Sequence, residues 1–68
     1  MEKVGIVGAG MIGGTLARLL VSAGYEVAVS NRRGPASLQP LVDELGPRAR
    51  ALTVDEAARW GDIVVLAT

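Results

Sequence analysis

The chain has 68 residues, with seven Lys and Arg against seven Asp and Glu, and half of its residues are apolar. That length allows one small domain or a piece of a larger one, and the apolar fraction is too high for a disordered tail. A balanced charge argues against a nucleic-acid module, and the lack of Cys and His excludes disulfides, thiolate metal sites and imidazole bases.

Lys3-Val4-Gly5-Ile6-Val7 is a compact apolar run closed by Gly8, and it predicts a first strand. From Met11 to Ser22 the spacing turns helical, with Ile12, Leu16, Leu19 and Leu20 on one side and Gly24 placed to cap the end. The uncharged stretch from Val4 to Ala17 is shorter than the ~18 residues of a membrane span. Its five glycines also disfavour the apolar helix of a signal peptide. The chain therefore reads as soluble and cytoplasmic. Glu26 to Ser30 predicts a second strand, which completes a strand–helix–strand unit in about thirty residues.

Asn31-Arg32-Arg33-Gly34-Pro35 is a polar loop rich in breakers. Leu38, Leu41, Val42 and Leu45 then mark one face of a second helix, with Ser37 as its expected N-cap and Pro40 in its first turn. Gly46-Pro47 ends that helix, and Arg48 to Leu52 alternates like a half-exposed edge strand. Thr53-Val54-Asp55-Glu56 matches a capping box and opens a short helix reaching about Trp60. Trp60 reads as a packing residue, and Asp43-Glu44 reads as lying on the outer face of the second helix, a poor candidate for an acid–base pair. Ile63 to Ala67 is a continuous apolar run of the kind found in central parallel strands. The order is βαβαβαβ.

Gly8-Ala9-Gly10-Met11-Ile12-Gly13 is a G-x-G-x-x-G, and it lies between a predicted strand and a predicted helix. In that context it is a dinucleotide-binding fingerprint. Gly8 permits the tight turn, Gly10 opens the backbone to a pyrophosphate, and Gly13 lets the helix pack closely. The free N–H groups of the first helical turn would hold the phosphate charge. At the end of the second strand, NAD binders place an acid that accepts hydrogen bonds from the ribose. Here the residues are Ser30, Asn31, Arg32 and Arg33, with no acid between Glu26 and Asp43. Hydroxyl and amide donors beside two guanidinium groups suit a 2′-phosphate, so NADP (as NADPH) is expected over NAD. Ala67 and Thr68, at the carboxyl end of the last strand, stand where open α/β sheets take ligands, and they complete the expected cofactor site.

With these motifs in hand, the chain resembles the amino-terminal NADP-binding domain of the NADP-dependent deazaflavin-coenzyme oxidoreductases. Pyrroline-5-carboxylate reductases and 6-phosphogluconate-dehydrogenase-like enzymes are kin of that family. The resemblance runs over the glycine motif, Ser30-Asn31-Arg32-Arg33-Gly34-Pro35 and Gly61-Asp62-Ile63-Val64-Val65-Leu66-Ala67. It implies NADP binding through Ser30, Asn31, Arg32 and Arg33. It also implies that a sheet continuing past the fourth strand supplies the substrate region.

The expected fold is therefore a Rossmann-type α/β domain, a parallel sheet in the order 3-2-1-4. Residues 1–68 would form the amino-terminal part of an NADP-binding domain, truncated after the fourth strand. Right-handed crossovers would place two helices on one face and the third on the other. The expected function is to hold NADP(H) for hydride transfer to a small-molecule acceptor bound elsewhere, without turnover by these residues alone. No catalytic residue, metal site, nucleic-acid contact or membrane contact is expected. The alternative is a non-catalytic dinucleotide-sensing module. The fourth strand would leave an edge that a continuation, or another copy of the chain in a homo-oligomer, would cover.

Overall fold

The computed structural model describes residues 2–8 and 10–67. Strand β1 spans Lys3–Val7, helix α1 Met11–Ser22 and strand β2 Glu26–Ser30. A 3-10 turn over Pro35–Leu38 leads into helix α2, Gln39–Leu45. Strand β3, Ala49–Ala51, helix α3, Val54–Trp60, and strand β4, Ile63–Leu66, complete the chain. The four strands form one sheet in the order β3-β2-β1-β4, parallel throughout. Val4 stands between Val27 and Ile63, and Val7 stands between Ser30 and Leu66.

The two faces of this sheet are built from different residues. Alternation along β1 and β2 sends Val4, Ile6, Val27 and Val29 to one face, where they form the core with Ala17 and Val21 of α1, Leu38 and Ala49. Leu41, Val42 and Leu45 of α2 pack around this cluster, as their spacing predicts. Arg18 of α1 and Glu44 of α2 join the two helices over it, with Nε to Oε2 at 2.5 Å. Glu44, half-exposed, is thus a link between the two helices. The opposite face carries Gly5 and Ala28, neighbours in the ladder, and takes α3. A Cβ added to Gly5 would lie 2.4 Å from the Ala57 carbonyl oxygen, so α3 rests directly on the backbone of β1. Two helices on one side and one on the other match the expected right-handed crossovers.

Three boundaries differ from the sequence reading. Ser37 does not cap α2, because Pro35 starts a tighter 3-10 turn that absorbs it and leaves Leu38 as the N-cap residue. Pro40 still falls in the first turn of α2, where a missing N–H is harmless. Strand β3 keeps only Ala49–Ala51 of the expected Arg48–Leu52. Arg48 instead turns its Nη2 to the Val21 carbonyl, 2.8 Å away, and joins the Gly24 N–H as a second donor to that acceptor at the end of α1. Strand β4 stops at Leu66, one residue short of expectation.

The capping box of α3 is complete. Glu56 N–H donates to Thr53 Oγ1 at 3.1 Å, and Thr53 N–H donates to Glu56 Oε1 at 2.9 Å. The backbone donor at Thr53 holds the Glu56 carboxyl below its ordinary value. Trp60 at the far end of α3 packs under two cations, Arg50 at 4.9 Å and Lys3 at 5.6 Å from the ring centre. Among the described residues, β4 forms an edge of the sheet, with Ile63, Val64 and Leu66 exposed.

Candidate dinucleotide-binding site

The carboxyl ends of β1, β2 and β4 converge on the start of α1. Gly8 leaves β1 with φ of +90°, a conformation that favours glycine, and its N–H donates to the Ser30 carbonyl at 2.9 Å. On the other side, Ala67 N–H donates to the Val7 carbonyl at 2.8 Å. The glycine loop is therefore tied between the ends of β2 and β4, at the strand ends where open α/β sheets bind ligands.

The glycines at the loop do different work. A Cβ on Gly13 would stand 3.0 Å from the Gly8 carbonyl oxygen and 3.5 Å from both Ile6 Cγ2 and Ala67 Cβ. That crowding is the close helix–strand contact expected of the third glycine. Ala67 thus supports the loop from beneath. A Cβ on Gly10 would meet nothing within 4 Å, so the backbone at the tip of the loop faces open space. No side chain caps the start of α1, and its first turn carries no acid. The amides of Met11, Ile12 and Gly13 occupy the first three helical positions, whose N–H groups have no acceptor within their own helix. The side chains of Met11 and Ile12 project outward, exposed beside these amides. An open loop and an uncapped twelve-residue helix together fit a bound pyrophosphate.

Beyond β2, the chain makes a turn that places both arginines at its tip. Gly34 N–H donates to the Asn31 carbonyl at 3.3 Å and to Asn31 Oδ1 at 3.0 Å, so Asn31 to Gly34 is a β-turn with Arg32 and Arg33 at the central positions. Both are exposed, and among the described residues neither guanidinium has an acid partner. This turn starts one residue past Ser30, whose carbonyl receives the glycine-loop N–H.

Two expected donors have other roles. Ser30 is wholly buried, and its hydroxyl donates to the Ile6 carbonyl at 2.7 Å. It fastens β2 to β1 beneath the site. Where a phosphate donor was expected, the hydroxyl proton is given to a main-chain carbonyl, as burial requires. Asn31 uses its side-chain oxygen on Gly34 and its amide nitrogen on Ser37, at 3.1 Å. Ser37 is the residue that sequence reasoning placed elsewhere, and the Asn at one end of an Arg-Arg-Gly turn was the signal for it. Ala9 and Thr68, both expected at the cofactor, lie outside the described residues. Among the described residues no group of three or more His, Cys, Asp or Glu could hold a metal ion. No helix among them is long and apolar enough to cross a membrane.

Comparison with known proteins agrees with this geometry. Solved structures with the same arrangement include a hypothetical protein from Sinorhizobium meliloti, 34% identical with a TM-score of 0.81 over 97% of this chain and 33% of that one. A variant of the imine reductase from Myxococcus stipitatus, in complex with NAD+, is 29% identical with a TM-score of 0.80, over 100% of this chain and 23% of that one. The imine reductase from a Pseudomonas species is 32% identical with a TM-score of 0.78, over 96% of this chain and 22% of that one. The chain thus spans a third or less of the length of each of these proteins. No curated protein matches it. Residues 3–68 match the family described as NADP oxidoreductase, coenzyme F420-dependent. The chain belongs to that family, as a Rossmann-type NAD(P)-binding oxidoreductase domain.

Proposed function

We propose that these residues are the NADP(H)-binding portion of an oxidoreductase, with the acceptor bound by regions outside the 68 residues. The observation that carries this reading is the Asn31–Gly34 turn, which presents two arginines, neither with an acid partner among the described residues, where NAD binders place an acid. A planar guanidinium takes a phosphate through paired hydrogen bonds, whereas a carboxylate there would repel it. Gly8 and Gly10, with the amides of Met11, Ile12 and Gly13, would hold the pyrophosphate. Arg32 and Arg33 would hold the 2′-phosphate. The bound cofactor supplies the hydride, and the chain contributes position and charge. Turnover requires a second wall to set an acceptor, such as an imine or a deazaflavin, against the nicotinamide. The exposed β4 edge is the surface that such regions, or a second copy of the chain, would cover.

Titration of NADPH and NADH against the parent chain and Arg32→Ala/Arg33→Ala tests this reading. Loss of a charged contact weakens NADPH by roughly 1.5–3 kcal/mol and leaves NADH unchanged. Equal weakening of both cofactors, or of neither, contradicts the assignment.

A further inference from the structure

The arginine turn is held from both sides by side chains that carry no charge. On one side Gly34 N–H is received by Asn31 Oδ1 at 3.0 Å, which fixes the orientation of the amide. The Asn31 amide nitrogen then points to Ser37 Oγ, 3.1 Å away. The Ser37 hydroxyl, accepting from that nitrogen, donates its own proton to the Gly34 carbonyl at 2.8 Å. Gly34 is thereby grasped at its N–H by Asn31 and at its carbonyl by Ser37, with φ of +95°. Its position sets where the two preceding residues stand. Those residues are Arg32 and Arg33, long side chains whose ordering on a ligand costs rotamer entropy. The turn beneath them is fixed before any ligand arrives.

We propose that Ser37 is a positioning residue that sets the preference for NADPH over NADH, by locking the Asn31–Gly34 turn beneath the two arginines. It touches no part of the cofactor and acts through the placement of the guanidinium groups. The inference rests on the reading of Arg32 and Arg33 as the 2′-phosphate site. The hydroxyl is exposed and its partners lie within the one loop, so its contribution is local rather than to the fold as a whole.

The test is a set of calorimetric titrations with NADPH and NADH, alongside the melting temperature of each variant. The variants are Ser37→Ala, Ser37→Thr, Arg32→Ala/Arg33→Ala and the combination of Ser37→Ala with both arginine changes. Ser37→Ala is expected to weaken NADPH by roughly 5- to 10-fold, the scale of one hydrogen bond, and NADH by less than about 2-fold. Ser37→Thr, which keeps the hydroxyl, restores the preference. In the background lacking both arginines, Ser37→Ala adds no further loss, because the coupling has nothing left to act through. Equal weakening of both cofactors by Ser37→Ala, an unchanged NADPH affinity, or a further loss without the arginines overturns the proposal. Unfolding of Ser37→Ala overturns it too, since a hydroxyl with a local role cannot govern the whole fold. If the double arginine variant abolishes the preference while Ser37→Ala leaves it intact, only the role of Ser37 fails. If the double variant leaves the preference unchanged, the phosphate site and the role of Ser37 fail together.

Discussion

Replacing Gly5 by Ala should destabilise this domain far more than an added methyl on a strand ordinarily does. The new Cβ would fall 2.4 Å from the Ala57 carbonyl oxygen and 3.1 Å from its carbon. A comfortable carbon–oxygen contact needs roughly 3.3 Å or more, so helix and strand must separate by about 1 Å. The obstacle is backbone, which cannot rotate away as a side chain would. Overpacking of this kind costs about 1–3 kcal/mol, and the rigid contact places Gly5→Ala at the upper end. Reduced freedom of the unfolded chain offsets about 0.5–1 kcal/mol of that. A net loss of about 2 kcal/mol is a large share of the ~3–10 kcal/mol expected for a domain of this size. It corresponds to a fall in Tm of roughly 8–16 °C. Gly14→Ala is the control, because its Cβ would meet only Arg18 Nη1, at 3.8 Å, within α1. That change should raise stability by up to about 1 kcal/mol through helix propensity. Urea unfolding of the two variants gives opposite signs if α3 rests on β1 as described. A Gly5→Ala variant within about 0.5 kcal/mol of the parent would refute the packing argument.

Three further substitutions probe other parts of the account. Thr53→Ala removes the capping box and should lower stability by about 1 kcal/mol, read from the urea midpoint. Because the Thr53 N–H holds the Glu56 carboxyl below its usual 4.5, that carboxylate stabilises the fold fully above this value. The benefit fades as pH falls through the lowered value, so Glu56→Gln should flatten the acid side of the Tm profile, and an unchanged acid slope would contradict it. Ser30→Ala leaves the Ile6 carbonyl without its hydroxyl donor and should cost about 1–2 kcal/mol. The same variant should preserve the ratio of NADPH to NADH affinity, and a selective loss of NADPH would place the hydroxyl in the ligand site after all.

Much of the fold was legible because the signals were periodic and local. The apolar runs of β1, β2 and β4, the glycine motif and the Thr53–Glu56 box each identify an element within a few residues, and the structure has them all. The face of the sheet that each helix covers followed from the right-handedness of parallel crossovers. What could not be read depends on contacts between segments distant in the chain. Arg48 reaches the end of α1, and Gly5 meets Ala57, a residue on the opposite face of the sheet from the main core. No local pattern encodes either pairing. At the site, residue types marked the glycine loop and the turn after β2 but not every contact made there. Arg32 and Arg33 stand exposed as expected. Ser30, expected beside them as a donor, is buried, because the next residue out of a strand and the last residue within it face different surroundings. Ser37 was misplaced because a Ser shortly before Pro40 resembles a helix cap, while the 3-10 turn begun by Pro35 drew it to Gly34 and Asn31 instead.

The central claim is that this chain distinguishes the 2′-phosphate through the turn after β2. Backbone amide NMR spectra recorded with saturating NADPH and with saturating NADH test it residue by residue. Both cofactors should move the amides of Gly10 to Gly13, and the difference between the two spectra should concentrate on Arg32, Arg33 and Gly34. A difference confined to the glycine loop, or spread evenly over the chain, would contradict the account.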